Sequence, residues 1–337
     1  MATRLEGVEF RSFRSSKDYA DISRVMNASW KADHVKWSQT PKDVKLYYHR
    51  MKGFDPKRCF FIAEVKGRMT GCSYIAWRTK PDGAREYSLQ SQVVPEWRGT
   101  GLREALLDLA EDRARGLANR HSAPRKYLDS WASFDENEWK TLLESRGYTA
   151  ESHMLNMLNT HLEEARPLPL PPGIEVRRVE PEHYRKIWNA SKEALREEPN
   201  FSDQAWTESA FRDHMRADTF SPHMWQIAWD GDQVVGGVHN FLDPHDVEAF
   251  GKRWCRTERI FVRKPWRRKG IASALISRSL IVLREAKMEG AMLMVDVNNP
   301  SRALKLYTKM GYEVFEHFAF YRKDIVQENR GRARRRK

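Results

Sequence analysis

The sequence predicts a tandem α/β protein, two units of one kind in a single chain, and three observations lead there. The first is an internal echo. Gly7-Val-Glu-Phe-Arg11 returns as Gly173-Ile-Glu-Val-Arg177, Trp97-Arg98-x-x-Gly101-Leu102 returns as Trp266-Arg267-x-x-Gly270-Ile271, and Gly147-Tyr148 returns as Gly311-Tyr312, all at similar offsets. Self-similarity at a near-constant offset marks a duplicated structural unit. The second is the run Pro-Leu-Pro-Leu-Pro-Pro-Gly at 167–173, stiff and extended, which divides the chain nearly in half. The third is the order of apolar patterns, because in each half strand-like runs alternate with stretches of helical period. The expected domains are therefore 1–166 and 174–326, joined by a linker at 167–173 and followed by a basic tail at 327–337.

The elements follow in order. Expected strands in the first half are 8–13, 59–65, 70–77, 87–94, 126–132 and 153–158. Between the last two and the earlier ones lies a helix on which Leu102, Ala105, Leu106 and Leu109 share one face. In the second half the strands are 174–178, 225–229, 233–242, 256–262, 291–297 and 313–321, with Ile271, Ala274, Leu275 and Val282 marking the matching helix. The polar and aromatic segment 182–217 has helical spacing and is expected to form two helices over the sheet.

Composition sets the limits. A chain of 337 residues can bury two cores, and 40% apolar with 31% charged residues is the balance of a soluble globular protein. No run approaches the ~18 apolar residues of a membrane span, and the N-terminus lacks the apolar core of a secretory signal, so the cytoplasm is the expected location and no membrane partner is expected. Cys59, Cys72 and Cys255 are far apart and odd in number, which suggests buried thiols rather than a disulfide framework or zinc knuckle. The net charge of +13 favours an anionic ligand, a phosphorylated cofactor or a nucleic acid. The tail Arg330-Gly-Arg-Ala-Arg-Arg-Arg-Lys337 has no apolar residues to pack with, and reads as a disordered solubilising end or a nucleic-acid contact.

The stretch that organises the second half runs from Ile260 to Ile276: an apolar strand, the basic turn Arg267-Arg-Lys-Gly270 and the start of a helix. Gly270 and Ala272 keep side chains away, so backbone N–H groups at a helix start can approach a pyrophosphate where the helix dipole favours negative charge. Arg267, Arg268 and Lys269 add cations, and Ile271 opens the helix. The spacing Arg-x-x-Gly-x-Ala after a strand resembles the acyl-CoA-binding signature of the GNAT superfamily of N-acyltransferases. Downstream, Val297-Asn-Asn-Pro-Ser-Arg-Ala-Leu-Lys-Leu-Tyr-Thr-Lys-Met-Gly-Tyr312 resembles that family's next segment at the expected distance. The resemblance covers most of the chain, and the doubled arrangement is similar to that of the mycothiol synthases. It implies two tandem GNAT-like domains, each a mixed, mostly antiparallel sheet flanked by helices. It also implies acetyl-CoA as co-substrate, no metal, and a small-molecule or peptide amine as acceptor, whether a thiol-bearing sugar conjugate, a polyamine, an antibiotic or a protein N-terminus.

Acetyl transfer from a thioester needs an uncharged amine, a stabilised oxyanion and a proton for the departing thiolate. The resemblance places backbone donors for the oxyanion at Phe261, Val262 and Arg263, and the acid at Tyr307. A phenol of ordinary pKa ~10 can donate to a thiolate whose conjugate acid lies near ~8.5; on an amphipathic helix the same tyrosine can also serve as core. Glu258 alternates with Ile260 and Val262, so strand parity puts all three on one face, where the carboxylate is either a general base or a cross-strand partner of Arg256. Asn299 resembles the family asparagine that contacts pantetheine or orients the loop, and a cap or turn residue has the same look. Asp296 ends a strand within reach of an acceptor. His239 and His245 fall in an expected loop without matched ligands, which leaves them as solvated or hydrogen-bonded histidines. Gly99-x-Gly101 is followed by Glu104 where a dinucleotide fingerprint needs glycine, and no Walker sequence occurs.

The first half departs from the pattern at two places. Arg103 stands where the second half has Ala272, and Leu143 where it has Tyr307. The expectation is a C-terminal acetyltransferase and a diverged N-terminal copy that no longer transfers acetyl and helps to build or cover the acceptor site. An arginine at that position could still grip phosphate from outside the turn. The competing class is a non-catalytic CoA sensor or a nucleic-acid-associated protein using the same fold and the basic tail.

Overall fold

A computed structural model describes residues 5–36, 38–49, 54–80, 82–198, 201, 203–298 and 303–325. The chain folds as two compact units, one of Met1–Glu151 with Phe320–Lys337 and one of Ser152–Ala319.

The first unit contains β1 (Val8–Ser12), α1 (Asp18–Ala32), α2 (Pro41–His49), α3 (Pro56–Cys59), β2 (Phe60–Val65), β3 (Arg68–Thr79), β4 (Arg85–Val93), α4 (Leu102–Ala118), β5 (Lys126–Ser133) and α5 (Asn137–Ser145). Its strands run β1-β2-β3-β4-β5, antiparallel except for the parallel pair β4–β5. Ile22, Val25, Met26 and Trp30 recur at helical spacing on α1 and pack with Phe60, Ile62 and Met69 of the sheet. Leu102 and Leu106 of α4 pack with Ala63 and Val93, in a cluster separate from that of α1.

The second unit takes up β6 (Thr149–Asn159) from Ser152 onward and continues through β7 (Ile174–Arg177), α6 (Tyr184–Leu195), α7 (Glu208–Met215), β8 (Gln226–Asp230), β9 (Gln233–Leu242), α8 (Pro244–Phe250), β10 (Trp254–Val262), α9 (Ile271–Glu285), β11 (Gly290–Asp296) and α10 (Ala303–Lys309) to most of β12 (Glu313–Asp324). Strand order is β6-β11-β10-β9-β8-β7, with β10–β11 the parallel pair. Ile271, Leu275 and Leu283 of α9 pack with Val235, Val238, Leu293 and Val295, while Ile187, Ala190 and Ala194 of α6 belong to a different cluster with Ile227, Trp229 and Phe261. A sheet with helices on both faces is the mixed α/β architecture the sequence predicts.

The division of the chain differs from the expected 1–166 and 174–326. The strand expected to close the first domain pairs instead with β11, from Asn159 opposite Ala291 to Met154 opposite Asp296, and the last residues of β12 fall in the first unit. Backbone hydrogen-bond partners, not neighbourhood in sequence, decide where a closing strand belongs. The proline-rich run is likewise not a free linker. Leu168 N–H donates to Ser277 Oγ at 3.0 Å and the Leu168 carbonyl accepts from Arg278 at 2.5 Å, which lays the run along α9 within the second unit. The basic tail lies outside the described residues. Among those described, no helix is long and apolar enough to cross a membrane.

Candidate active site

The site is built on β10, which loses a partner halfway along. Trp254, Cys255 and Arg256 stand opposite Gly290, Ala291 and Met292 of β11, and beyond Arg256 only the antiparallel register with β9 continues. That register slips between Glu258 and Phe261, so that Arg259 and Ile260 together face the single residue Val238. The extra residue is a β-bulge, and it leaves Arg259 at φ 45°, a left-handed conformation that costs a side-chain-bearing residue ~1–2 kcal/mol. Beyond it, Phe261 and Val262 lie against Gly237 and Gly236. A Cβ on Gly237 would come 2.6 Å from the Phe261 ring and one on Gly236 2.9 Å from the Phe261 carbonyl oxygen, so glycine is what permits the approach.

The expected oxyanion donors separate here. Arg263 N–H donates to the Val235 carbonyl at 2.8 Å and is part of the ladder, and its side chain pairs with Glu193 at 2.9 Å. Alternation along an antiparallel pair then turns the Phe261 N–H to β9 and the Val262 N–H to the side that β11 has left. The three-amide expectation narrows to Val262.

The basic turn also separates. Arg267 does not project to a ligand: its Nε donates to the Val262 carbonyl at 2.9 Å, its Nη2 to the Ala194 carbonyl at 3.0 Å, and its Nη1 pairs with Glu197 at 2.5 Å. It ties the turn to α6, which corrects its assignment as a phosphate contact. Arg268 at φ 65° and Lys269 are exposed, and neither side chain bonds to protein. Gly270 caps α9 at φ 84° with no side-chain hydrogen bond and no acidic residue in the first turn, so the free N–H groups of Ile271 and Ala272 end a helix that two unpaired cations flank.

Residues 221–314, which contain this strand, turn and helix, match the family profile described as the acetyltransferase (GNAT) domain. The second unit carries a GNAT acetyltransferase domain. Among curated proteins it is similar to the mycothiol acetyltransferase of Geodermatophilus obscurus, 24% identical over 300 residues and covering 87% of this chain and 90% of that one. Among solved structures it is similar to a GCN5-related N-acetyltransferase from Sphaerobacter thermophilus, with TM-score 0.70, 22% identity and coverage of 96% and 97%. It is also similar to a tandem GNAT protein from the clavulanic acid biosynthesis pathway, with TM-score 0.63, 15% identity and coverage of 94% and 98%. These likenesses span most of the chain and agree with a tandem GNAT fold.

In this GNAT domain, Tyr307 on α10 is 8% exposed within the apolar cluster that Ile260 and Val262 flank, edge-on to Tyr312 at 6.1 Å. Burial, with Glu198 adding negative potential, pushes its phenol above the ordinary tyrosine range, so the proton is held at neutral pH. Glu258 does not share a face with Ile260 and Val262. The bulge inserts a residue between them and reverses the alternation, leaving Glu258 opposite His239. Its carboxylate lies 3.6 Å from Arg256, with the side chain 41% exposed. Desolvation raises its pKa above the usual carboxylate value, with Arg256 and Arg259 pulling the other way. Asp296 accepts from Asn298 N–H at 2.8 Å and closes a turn. Asn299 lies outside the described residues. His239 is not a loop residue but a buried member of β9, stacked on Trp225 at 3.9 Å, and His245 belongs to α8. The strand expected at 233–242 already contained His239, and it is the loop reading of this histidine that fails.

The first unit holds the corresponding elements in a different state. β4 keeps one unbroken register with β3, from Gly71 opposite Val93 to Thr79 opposite Arg85, with no bulge. Arg98 ties the turn to α1 through Ser29 and Asp33, as Arg267 does to α6. Gly99 N–H donates to Glu138 Oε1 at 3.1 Å, so a protein carboxylate occupies the turn's amide. Arg103, 1% exposed, points inward rather than gripping from outside: it donates to the Ser91 carbonyl at 2.9 Å, pairs with Glu136 at 3.3 Å and lies 4.6 Å over the Trp139 ring. Arg103→Ala should lower the unfolding free energy by about 3–5 kcal/mol by stranding the buried Glu136, and Arg103→Ala with Glu136→Gln should recover part of that in denaturant titration. Equal midpoints for the single variant and the wild type would show that the pair is not structural.

Proposed function

We propose that this GNAT acetyltransferase moves the acetyl group of acetyl-CoA to a primary amine in its second unit, and that the first unit has lost both transfer and cofactor binding. The observation that carries the reading is the bulge at Arg259–Ile260 where β10 parts from β11, followed by an uncapped helix start with free Arg268 and Lys269. In the first unit β4, which corresponds to β10, has no such bulge, and the turn that follows it is occupied by Glu138. The donor groups fit the cofactor: the N–H groups of Ile271 and Ala272, with Arg268 and Lys269, would hold its phosphates. Acetyl-CoA supplies the activated acyl group.

The steps balance with groups of this unit. The neutral amine attacks the thioester carbon, Glu258 takes the amine proton directly or through water, and Val262 N–H stabilises the oxyanion. Collapse of the tetrahedral adduct breaks the carbon–sulfur bond, and Tyr307 protonates the departing thiolate. Because the bulge turns Glu258 to the β-sheet face opposite that of Ile260 and Val262, amine and cofactor approach from different faces of the sheet.

An amine panel followed by release of free CoA thiol tests the reading, with polyamines, aminoglycosides, peptide N-termini and aminated thiol–sugar conjugates represented. At least one amine should accelerate release over hydrolysis; acceleration by none would overturn it. Glu258→Gln should slow the best acceptor about 10²-fold or more. Dividing wild-type by variant rates cancels the acceptor's own ionisation. That ratio should fall as pH drops through a carboxyl pKa lying above the ordinary ~4.3, because the base is then protonated. A pH-independent ratio would leave Glu258 as a partner of Arg256 only.

A further inference from the structure

The second unit has a small, partly open cavity beside α6 and α7 in which polar atoms converge without partners. Trp188 of α6, His214 of α7, Trp225, His239 of β9 and Arg259 of the bulge are among its lining residues, and its free space is small, about 10 Å³, so it admits only the polar head of a ligand whose body stays outside. His239 is 3% exposed and neither of its ring nitrogens is hydrogen-bonded to protein; His214 Nε2 and Arg259 Nη1 are also buried and unbonded. Each such atom carries a desolvation cost of roughly 1–3 kcal/mol.

Arg259 lies over aromatic rings, and Glu258 offsets its charge without a hydrogen bond to it. Its guanidinium lies 5.0 Å from the Trp188 centroid and 5.2 Å from that of Trp206, while the neighbouring Glu258 carboxylate lies against Arg256 at 3.6 Å. Trp225 is nearly parallel to both imidazoles, 3.9 Å from His239 and 5.9 Å from His214. Burial, reinforced by Arg259, lowers His214 to about 4 and His239 well below the usual histidine value, so both rings are neutral at physiological pH and each keeps one N–H donor. A fixed cation, two neutral N–H donors and flat apolar walls complement a planar anion attached to an apolar body. A cationic or purely aliphatic ligand would leave the same atoms unsatisfied.

We propose that this cavity is a carboxylate subsite for the acceptor, so that the amine acetylated by this unit belongs to a molecule whose carboxylate pairs with Arg259 and accepts from His214 and His239. The assignment rests on the acetyl-transfer reading above and narrows its substrate class. Val262 follows Arg259 by three residues, so their Cα atoms are at most roughly 10 Å apart and the acceptor that reaches both is a small molecule. Amino acids and short amino-acid conjugates meet that limit.

Two measurements on the full chain test it. In calorimetry, 3-phenylpropionate should bind about 10- to 100-fold more tightly than 3-phenylpropionamide, the range expected for hydrogen bonds to a charged group. Arg259→Gln should bring the acid to the level of the amide and leave the amide unchanged, and Arg259→Lys should recover only part of the preference because it lacks the planar fork. In turnover, L-phenylalanine should show the same advantage in KM over L-phenylalaninamide, again removed by Arg259→Gln. Equal binding of acid and amide, or an equal loss of both in the folded variant, would overturn the subsite and make the cluster a packing feature. A carboxylate preference in calorimetry with no thiol release by any amine would instead overturn acetyl transfer and leave the anion site standing.

Discussion

Gly270→Glu should abolish measurable turnover and weaken acetyl-CoA binding by about 100-fold or more, while Gly101→Glu should leave both within roughly threefold of wild type. The two glycines make a matched pair, at φ 84° and φ 86° before α9 and α4, each without a side-chain cap. Any other residue at either position bears the same left-handed penalty of ~1–2 kcal/mol, so a difference between the variants cannot come from the backbone. Nor is it steric, because a Cβ at Gly270 meets no atom within 4 Å and one at Gly101 meets only Leu5 at 3.8 Å. What differs is the charge each carboxylate would face. At Gly270 it would sit on the free helix start beside Arg268 and Lys269, in competition with phosphate. At Gly101 it would join a turn whose amide already serves Glu138 and whose helix already carries Glu104 in its first turn. Gly270→Ala supplies the control, with the backbone cost but no charge, and should retain most of the affinity in calorimetry. Loss of activity in Gly101→Glu with retention in Gly270→Glu, both folded by circular dichroism, would move the chemistry to the first unit.

Features that depend on local period were legible in the sequence. The strand runs, the helix faces of α4 and α9 and the turn ending at Gly270 follow from alternation, from 3.6-residue spacing and from the glycine's tolerance of positive φ. Features that depend on which backbone pairs with which were not. A single inserted residue at Arg259–Ile260 cancels the parity that put Glu258 beside Ile260 and Val262, and nothing in the composition of that strand announces it. The warning lay in the opposite strand, where Gly236-Gly237 interrupts an apolar run and marks a close backbone approach or a bulge. The placement of β6 beside β11 was hidden for the same reason, since His153 to Leu158 reads as a strand whichever sheet receives it. Arginine positions misled in another way. A cation near a glycine turn suggests phosphate, yet Arg267 and Arg98 spend their hydrogen bonds on α6 and α1, and Arg103 is wholly internal. The echo between the halves preserves the anchor of the turn, whereas the free cations Arg268 and Lys269 correspond to Gly99 and Thr100 in the first half. His214, His239 and Arg259 come from three separate elements, and no linear motif links them.

Tyr307→Phe should lower kcat and kcat/KM together by about 10²–10⁴, the contribution of a general acid, with acetyl-CoA affinity unchanged. The ring stays in the cluster with Tyr312 and Val295, so the core is preserved and the loss of one hydroxyl should change the unfolding free energy by only ~1 kcal/mol. That separation makes the test informative: a purely structural tyrosine would show its effect in stability and spare turnover, and an acid would do the reverse. Burial and Glu198 both raise the phenol's pKa, so the protonated donor persists above the usual ~10 and the wild-type rate should show no alkaline limb from this group below that pH. The thiolate it serves has a conjugate acid near ~8.5, so proton transfer from the phenol stays uphill even once the carbon–sulfur bond has broken, and reprotonation of the tyrosinate by solvent completes it. A buried phenol of raised pKa is thus a weak acid in the ground state and is drawn on only at collapse of the adduct, where the donated proton prevents the thiolate from re-attacking. In the first unit Leu143 takes this position with no proton to give, fully buried in a unit whose β4 lacks the bulge. Turnover of Tyr307→Phe near wild type with the best acceptor would assign proton delivery to solvent and leave the tyrosine as core.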